Sequence, residues 1–387
     1  MPIKNRYAEL HSEITEWRRD FHTHPEILFE VHRTAARVAD LLREFGCNEV
    51  VEGIGRTGVV GMIRGRSTDS GKVIGLRADM DALPIHEITG LDYASQTPGA
   101  MHACGHDGHT AMLLGAAKYL CETRAFNGTA VVVFQPAEEG GGGGLEMCRD
   151  GLMDRFGIQE IYGMHNMPGI PVGQFAIRPG PLLASSDEFE IVVTGKGGHA
   201  AAPHEAVDTT LVAAQILLSL QSIVSRNVNP LKRVVVTVGT FNTDSAASNV
   251  IAHEARMQGT VRTLDPEYRA FAETRVKAIA EGTATAFGAS AIVNWQPGYP
   301  VTVNTPENTG YAADVARAIA GDVDDNVDPI MPAEDFSYML EERPGAYIFL
   351  GNGDTAMCHH PAYNFDDEAI PAGASWYSGM IEARMPV

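Results

Sequence analysis

The spacing of apolar residues alternates along the chain between a helical period and short unbroken runs, which separates predicted helices from predicted strands. Helical spacing predicts helices over residues 7–21, 31–45, 106–121, 205–226, 266–287 and 309–320, with another after Pro371. Apolar and β-branched runs predict strands over residues 57–63, 72–76, 129–134, 161–165, 173–177, 188–194, 233–241, 255–264, 289–295 and 345–350. This alternation predicts an α/β fold with a central, mostly parallel sheet.

The order of the elements changes within the chain and predicts a discontinuous domain. Between residues 186 and 298 the predicted order is βαββαβ, which is typical of a ferredoxin-like layer of helices on a sheet. The earlier α/β pattern then returns. We therefore predict one large α/β domain, residues 1–185 and 299–387, with a smaller domain of residues 186–298 inserted into it.

The composition is that of a globular protein and excludes some partners. The chain has 387 residues, 44% of them hydrophobic, enough for a large core. Its net charge of -20 argues against a nucleic acid or an anionic membrane as partner. No segment has the ~18 apolar residues of a membrane span, and the N-terminus lacks the apolar stretch of a secretory signal. Five cysteines are too few for a disulfide framework, so we expect a cytoplasmic protein.

Side chains that bind metals crowd into the segment MHACGHDGH, residues 101–109. Cys104 and His106 lie two positions apart in a turn before a predicted helix, so both can point at one ion. A thiolate near a helix N-terminus is also favoured by the helix dipole. This density of donors predicts a metal site rather than a solvated loop, whereas His102 and His109 individually are more typical of supporting residues.

Two adjacent carboxylates, Glu138 and Glu139, follow the strand predicted at residues 129–134. Neighbouring side chains at a strand end point in different directions, and α/β folds place their sites at the carboxyl ends of strands. One carboxylate can therefore bind a metal while the other faces a water that the metal acidifies, which suits hydrolysis. The Gly140–Gly144 run that follows receives no role from the sequence.

Further nitrogen donors lie at the ends of other predicted strands. His165 ends one strand, and the pair His359–His360 follows another after a short loop. The candidate ligand set mixes sulfur, nitrogen and oxygen donors: Cys104, His106, Glu139, His165 and one histidine of the His359–His360 pair. Such a set suits Zn, Mn, Co or Ni and does not choose among them.

Three motifs, RADMDALP, MHACGHDGHTAMLLGAA and QPAEE, resemble those of the M20 family of metallopeptidases and amidohydrolases. They are most similar to the branch that contains hippurate hydrolases, N-acyl-amino-acid amidohydrolases and plant indole-acetyl-amino-acid hydrolases. The resemblance runs from WRRDFHTHPE to FDDEAIP and covers nearly the whole chain. It implies an amidohydrolase that binds two divalent metal ions per subunit and has a catalytic domain with an inserted lid or dimerisation domain.

The resemblance also implies roles for individual residues. The implied metal ligands are Cys104, His106, Glu139, His165 and His359, the last in preference to His360. Glu138 matches the general acid and base of the family. Asp79, Asp81 and Asp107 match acidic residues of the family that orient the metal ligands. A further family motif, Glu334-Asp335-Phe336, has no assigned chemical role.

Three residues of the predicted insert match lid motifs of the family. His199 matches a histidine that reaches the active site of the partner subunit and stabilises an oxyanion. Asn249 and Arg262 match residues that hold the substrate carboxylate, for which a guanidinium fork is well suited. The resemblance therefore implies a homodimer, and pairing of the insert's expected edge strands would produce one.

The predicted activity is hydrolysis of an N-acyl amino acid to a carboxylic acid and a free amino acid. Glu138 would take a proton from the attacking water and return one to the leaving nitrogen. Within the family, the alternatives are an N-acetyl-diaminopimelate deacetylase and a carboxypeptidase, between which no motif decides. A non-catalytic binding protein is the alternative from another class, but it would be expected to lose a ligand or Glu138. The acyl group, the amino acid and the native metal stay open.

Overall fold

The computed structural model describes residues 4–387, and these form two compact units. The first comprises residues 4–182, Thr302–Asp328 and Asp335–Val387. The second comprises Leu183–Val301 and Pro329–Glu334. The chain therefore leaves the first unit and returns to it twice. The functions expected of two such parts, metal binding and a lid, stay predictions.

Helices and strands alternate along the described chain. Numbered in chain order, the strands are β1 (Glu49–Ile54), β2 (Gly58–Arg64), β3 (Val73–Asp79), β4 (Thr129–Gln135), β5 (Glu160–Met167), β6 (Phe175–Ala176), β7 (Gly180–Leu183), β8 (Ser185–Thr194), β9 (Gly198–His199), β10 (Val234–Thr243), β11 (Val250–Ile251), β12 (Glu254–Thr263), β13 (Ser290–Pro297), β14 (Thr302–Asn304), β15 (Val323–Asp324) and β16 (Gly345–Gly351). The helices are α1 (Asn5–Thr23), α2 (His32–Phe45), α3 (His106–Thr123), α4 (Gly143–Arg149), α5 (Leu152–Arg155), α6 (Thr209–Ser222), α7 (Pro266–Ala286), α8 (Pro306–Ala320), α9 (Phe336–Glu342) and α10 (Ile370–Arg384). Between residues 4 and 387, none of the helices combines the length and the apolar character that crossing a membrane requires.

A mixed sheet forms the centre of the first unit. Its strand order is β1-β2-β4-β3-β5-β16-β6-β15. The four central strands β4, β3, β5 and β16 run parallel, and antiparallel pairings flank them on both sides. Strands buried on both faces read as unbroken apolar runs, which explains the sequence of β4. The α/β class predicted from the sequence is confirmed, with antiparallel strands added towards the edges of the sheet.

The parallel register brings the carboxyl ends of the central strands to one edge of the sheet. Asp79 at the end of β3 is paired with Gln135 at the end of β4. His165 near the end of β5 is paired with Phe349 of β16. Side chains at and just beyond these positions therefore meet, although they are far apart in the sequence.

Helix α3 is almost entirely buried in the first unit. It packs against α1, α2, α10 and strand β3, and buried residues occur on all its sides. Gly115 allows the close approach of α1, because a Cβ there would lie 2.6 Å from Cδ1 of Ile14. Since α3 is held from several sides, the turn that precedes it is held as well.

The second unit contains the elements β8, α6, β10, β12, α7 and β13 in the order βαββαβ. Its sheet has the order β10-β12-β8-β13 with antiparallel pairing throughout, so β10 and β13 are the edges. Helices α6 and α7 pack against each other and against the sheet. Alternating burial along β8 and β12 shows that one face of each strand points into this core.

The helix predicted over residues 205–226 begins too early, and its last turn is π-helical rather than α-helical. Pro203–Glu205 forms a 3₁₀ turn, and α6 begins at Thr209 because the Asp208 carboxylate caps the amides of the first helical turn. A π-helical turn, Ile223–Asn227, follows α6. The apolar pattern also fails to predict β1, α4, α5 and α9, since these elements are short or lie largely at the surface.

We expect the ion pair of Asp187 and Arg269 to stabilise the second unit. Arg269 donates two hydrogen bonds, of 2.8 and 2.7 Å, to the fully buried Asp187 carboxylate. Asp187→Asn leaves the guanidinium without its charge partner and should lower the free energy of unfolding by about 3 kcal/mol. Chemical denaturation followed by circular dichroism measures this. The exposed pair Arg256–Glu254 is the control, and equal effects of Arg256→Gln and Asp187→Asn would contradict the prediction.

Candidate metal centre

The turn before α3 places Cys104 and His106 at the carboxyl-end edge of the central strands. Gly105 between them has a φ of +84°, and a Cβ there would lie 2.3 Å from Nδ2 of Asn166 and 2.4 Å from the hydroxyl of Tyr363. Only glycine fits this conformation in this space. The side chains of Cys104 and His106 are both buried, so the turn directs them into the protein.

The donor atoms of the predicted site gather in groups whose members lie within 4.8 Å of one another. Three overlapping groups are Cys104, His106 and His165; Cys104, Glu139 and His359; and His106, Glu138 and Glu139. Because they share residues, these groups form one cluster, which we call the donor cluster. The structure therefore brings together every ligand that the sequence predicts, together with Glu138.

His106 gives the strongest indication that the donor cluster holds a cation. Its side chain is fully buried, and among residues 4–387 neither ring nitrogen has a hydrogen-bond partner. Carboxylate oxygens of Asp79, Asp81 and Glu139 lie 3.7, 3.5 and 3.9 Å from its ring nitrogens. Burial opposes the charged ring, but these carboxylates, Asp79 foremost, outweigh it and raise the pKa of His106 to about 10. Buried anions around an unpartnered nitrogen fit a divalent cation.

Asp79 orients the histidines around the donor cluster. Its two oxygens accept hydrogen bonds from Nδ1 of His109 at 2.6 Å and from Arg77 at 2.8 Å. Nε2 of His109 accepts the backbone N–H of Asn166 at 2.9 Å, so both ring nitrogens of His109 are occupied. Burial opposes ionisation of Asp79, yet the charges of His106 and Arg77 hold its pKa well below the usual range. Asp79 is therefore an ionised support for the cluster.

Asp81 holds the turn that carries the adjacent glutamates. Its two oxygens accept the backbone N–H of Glu138 at 2.9 Å and of Glu139 at 3.1 Å. Ala137, which precedes them, has a φ of +54°, in the left-handed region that residues with a Cβ rarely adopt. Such strain persists only where surrounding contacts impose it. The turn thus fixes the directions in which the two carboxylates leave the backbone.

His165 approaches Cys104 from the end of β5. Its Nε2 lies 3.4 Å from Sγ of Cys104, while its Nδ1 donates to the carbonyl of Asn166 at 2.5 Å. That hydrogen bond leaves Nε2 as the unprotonated nitrogen that faces the thiol. Burial lowers the pKa of His165, which favours the neutral ring that binds metals.

The two histidines of the C-terminal motif occupy different positions. His359 has a φ of +68°, and its N–H donates to the carbonyl of Ala103 at 2.7 Å, which ties it to the turn before α3. Its half-exposed ring lies 3.2 Å from Oε1 of Glu139, and this contact raises the pKa of His359. Nδ1 of His360 instead accepts the N–H of Ala362 at 3.1 Å. Of the pair, His359 belongs to the donor cluster.

Asp107 connects the first turn of α3 to α1. Its Oδ2 lies 2.8 Å from Nδ1 of His22 and 3.4 Å from Nη1 of Arg18, and all three side chains are buried. Burial opposes the charge, but the positive charges of His22 and Arg18 lower the pKa of Asp107. Asp107 therefore supports His106 through the backbone and through α1.

A fully buried arginine, Arg77, joins several parts of the site and receives no role from the sequence pattern. Besides its bond to Asp79, it donates to Gln135 at 2.9 Å and to Asp335 at 3.1 Å. Asp335 also accepts the N–H of Gly144 at 2.7 Å. A charged residue inside an apolar strand is the signal that could have identified Arg77, since unpaired arginines are almost never buried.

Two glycines of the Gly140–Gly144 run, Gly143 and Gly144, pack closely against neighbouring backbone. A Cβ at Gly143 would lie 1.7 Å from the carbonyl oxygen of Pro136, and one at Gly144 would lie 2.8 Å from that of Asp335. These two positions therefore require glycine for space. The sequence could not reveal the requirement at Gly144, because Asp335 approaches from elsewhere in the chain, whereas the requirement at Gly143 arises within the same turn.

In the second unit, His199 and Asn249 line one cavity of about 630 Å³. Strands β9 and β11 pair beside it, and the N–H of Ala200 donates to the carbonyl of Asn249 at 3.0 Å. Arg262 lies on β12 opposite Ser186, half-buried and, in the described chain, outside the lining of this cavity. Two of the three predicted lid residues are thus neighbours, and the third is placed elsewhere in the unit.

Comparison with known proteins shows the family to which this chain is similar. The family model of peptidase family M20/M25/M40 matches residues 75–383. The chain is 42% identical to a hippurate hydrolase of Campylobacter jejuni subsp. jejuni over 96% of each chain. It is 39% identical to an N-acetylcysteine deacetylase of Bacillus subtilis, over 95% of this chain and 96% of that protein. Among solved structures, the YXEP protein of Bacillus subtilis, a dinuclear metal binding peptidase from the M20 family, superposes with a TM-score of 0.86 at 34% identity, covering 98% of this chain and 99% of that chain.

The different positions of His359 and His360 generate a prediction. His359→Ala removes a nitrogen from the donor cluster and should weaken the binding of one metal ion at least ~10-fold. His360→Ala is the matched control, because its ring is bonded within its own loop, and it should leave metal content unchanged. Elemental analysis after dialysis against limiting metal measures both variants. A larger loss in His360→Ala would show that the wrong histidine was chosen.

Proposed function

We propose that this protein, which belongs to peptidase family M20/M25/M40, cleaves the amide bond of N-acyl amino acids. Family membership makes it a hydrolase. In the proposed reaction, one water is added across the C–N bond. The products are a carboxylic acid and a free amino acid.

The observation that carries the proposal is the donor cluster itself. It combines one thiol, three imidazoles and two adjacent carboxylates; Cys104, His106 and Glu138 are buried, and the other three are partly or half exposed. Metal storage alone would not require the second carboxylate of the Glu138–Glu139 pair, whereas hydrolysis does. Hippurate and N-acetylcysteine, which the relatives' names give as substrates, are both N-acyl amino acids. This supports the substrate class.

Two divalent metal ions fit the donor cluster, and we propose Zn, Mn, Co or Ni. The residues that would hold them are Cys104, His106, Glu139, His165 and His359. Bound there, the ions would supply Lewis acidity for the amide carbonyl and lower the pKa of water. The unpartnered ring nitrogens of His106 support this assignment. Asp79, Asp81 and Asp107 would orient the ligands through the hydrogen bonds described above.

Glu138 is the residue that we propose to move protons. Asp81 fixes its backbone, and its side chain is largely buried, so its carboxylate would act in a site from which bulk water is largely excluded. It would take a proton from the attacking water and deliver one to the leaving nitrogen. Its neighbour Glu139 would remain a ligand, so the two carboxylates would not compete for one role.

Substrate recognition is assigned to the second unit on the strength of the family resemblance. The resemblance implies that Arg262 and Asn249 hold the free carboxylate of the substrate, which would restrict cleavage to amides of amino acids. Asn249 lines the cavity described above, whereas Arg262 lies outside its lining. His199 would stabilise the oxyanion in the active site of the partner subunit. The placement of His199 and Asn249 on one cavity supports a shared role for these two residues.

A homodimer formed through the second unit is part of the proposal. Strand β10 is an edge of the sheet and carries the exposed Val235, while α6 exposes Leu211 and Leu218. Unpaired strand edges and exposed apolar side chains are commonly covered by association. A two-fold axis at this edge would cover both copies at once.

Two alternatives within the family stay open: an N-acetyl-diaminopimelate deacetylase and a carboxypeptidase. The carboxypeptidase would act on a substrate whose acyl side is a peptide, whereas the deacetylase would act on one whose amine side is diaminopimelate. A cytoplasmic location without nucleic acid or membrane partners also belongs to the proposal. It rests on the net charge of -20 and on five cysteines without a disulfide.

The proposed function predicts metal-dependent release of amino acids from N-acetyl, N-benzoyl or indole-acetyl substrates. Chelation should abolish the activity, and added Zn, Mn, Co or Ni should restore it. Glu138→Gln should lower kcat by at least ~10² and keep its metal, because a proton carrier is lost. Glu139→Gln should instead lose metal, because a ligand is lost. An amine-release assay with elemental analysis of the same samples measures all four outcomes.

Activity in protein verified to be metal-free would overturn the proposed chemistry. Failure of the metal-loaded wild type on every substrate would favour a binding protein instead. Preferential cleavage of N-acetyl-diaminopimelate or of peptides would select one of the alternatives. Equal metal content and equal activity in Glu138→Gln and Glu139→Gln would show that the two roles are assigned wrongly.

The proposed dimer predicts complementation between two inactive variants. In a mixed dimer of His199→Ala and Glu138→Gln protomers, one site combines an intact Glu138 with an intact His199 from the other chain. Activity should return on mixing, to at most about half of the wild-type value per mixed dimer if the sites are independent. Subunit exchange, verified by native mass spectrometry with differently tagged protomers, is the control. Confirmed mixed dimers without activity would mean that His199 does not act across the interface.

A further inference from the structure

We propose that Cys47 and Cys121 form a redox-sensitive dithiol that peroxide oxidises to a disulfide. Their sulfur atoms lie 3.7 Å apart, although 74 positions separate the residues in the chain. Cys47 follows α2, and Cys121 lies in the last turn of α3. The pair is outside the donor cluster, so this inference does not depend on the proposed function.

The backbone of Cys47 is held by the C-terminal cap of α2. Gly46 has a φ of +86°, and its N–H donates to the carbonyl of Arg43 at 3.1 Å. The N–H of Cys47 donates to the carbonyl of Leu42, also at 3.1 Å. This pair of bonds is a Schellman motif, so the position of the thiol does not depend on a free loop.

Arg124, three residues after Cys121, binds the chain on both sides of Cys47. Its guanidinium donates to the carbonyl of Gly46 and to Oδ1 of Asn48, each at 2.8 Å. The backbone of Arg124 is itself in the left-handed conformation that ends α3, with a φ of +46°. The end of α3 and the residues around Cys47 are therefore joined before any covalent bond forms.

The sulfur atoms need a modest approach to bond. A disulfide requires about 2.05 Å between them, so they must approach by roughly 1.6 Å through side-chain rotation. Cys47 is half-buried and Cys121 is largely buried, which leaves access for a small oxidant. The hydrogen bond from Cys47 lowers the pKa of Cys121, and the charge of Arg124 acts in the same direction. A thiolate is the form that reacts with peroxide.

The oxidation balances with one hydrogen peroxide per pair. One thiolate attacks the O–O bond, which breaks to give a sulfenic acid and, after proton transfer, one water. The second thiol then attacks the sulfenic sulfur, an S–S bond forms, the S–O bond breaks and a second water leaves. The two thiols lose two electrons and two protons, and the peroxide is reduced to two waters.

The disulfide would link the connection between α2 and β1 to the last turn of α3. Closing a loop of 74 residues restricts the unfolded chain. We therefore expect oxidation to stabilise the first unit. A dithiol reductant would reverse the effect, since exchange cleaves the disulfide.

The experiment uses the full-length, metal-loaded protein treated with hydrogen peroxide and then alkylated and digested. Mass spectrometry should show a linked peptide pair that contains Cys47 and Cys121, lost again after dithiothreitol. The Tm should rise by a few degrees on oxidation in the wild type but not in Cys47→Ser. Cys148→Ser, which removes a buried cysteine on α4, is the matched control and should behave as the wild type.

Arg124→Gln tests the structural basis of the pairing. It removes the charge and the bonds that flank Cys47, so the linked peptide pair should form at least about threefold more slowly. Recovery of Cys47 as a free thiol or as sulfinic acid, without the linked pair, would overturn the proposal. An equal rise of Tm on oxidation in Cys47→Ser would overturn it as well. Peptide mapping separates this link from any reaction of Cys104 or Cys358.

Discussion

A positive charge that is buried away from water must be neutralised where it lies, and the guanidinium of Arg77 imposes this constraint on the first unit. It is surrounded by the carboxylates of Asp79 and Asp335 and by the side-chain oxygen of Gln135. Each partner then positions something else. Asp79 holds His109, and Asp335 holds the backbone at Gly144. One buried charge thus connects β3, β4 and the start of α4 beside the donor cluster.

The donor cluster, in contrast, contains an excess of negative charge. Asp79, Asp81, Glu138 and Glu139 place several carboxylates in a buried space around one imidazole, His106. Carboxylates that share a site repel one another and favour any cation that can enter it. The same carboxylates raise the pKa of His106, so that without a metal its ring binds a proton more tightly. A divalent ion would satisfy the same demand by replacing the proton, so metal binding and proton release are coupled.

Irregular backbone occurs where the cluster needs particular directions. Ala137 and His359 have positive φ values of +54° and +68° although both have a Cβ. Ala137 directly precedes Glu138, and His359 is itself a member of the donor cluster. Two sets of hydrogen bonds maintain these conformations: the backbone N–H groups of Glu138 and Glu139 donate to Asp81, and the N–H of His359 donates to the carbonyl of Ala103. The strained backbone at these two residues is therefore held by the hydrogen bonds of the site, whereas Leu28, Arg56 and Arg124 have positive φ values elsewhere in the described chain.

The sequence by itself determined the α/β class and the segment with βαββαβ order, and it predicted the candidate donors, because apolar periodicity and dense ligand motifs are local signals. It could not assign Arg77, Asp335 or the space requirement at Gly144, since each depends on residues that approach from distant parts of the chain. From the residues alone, the fifth candidate ligand could be either His359 or His360, and the choice of His359 came only from the family resemblance. The tertiary structure distinguished them physically: the left-handed turn at His359 brings its ring to Glu139, while His360 bonds to its own loop. Directions in space of this kind are decided by packing and hydrogen bonds between remote segments, which no single stretch of sequence contains.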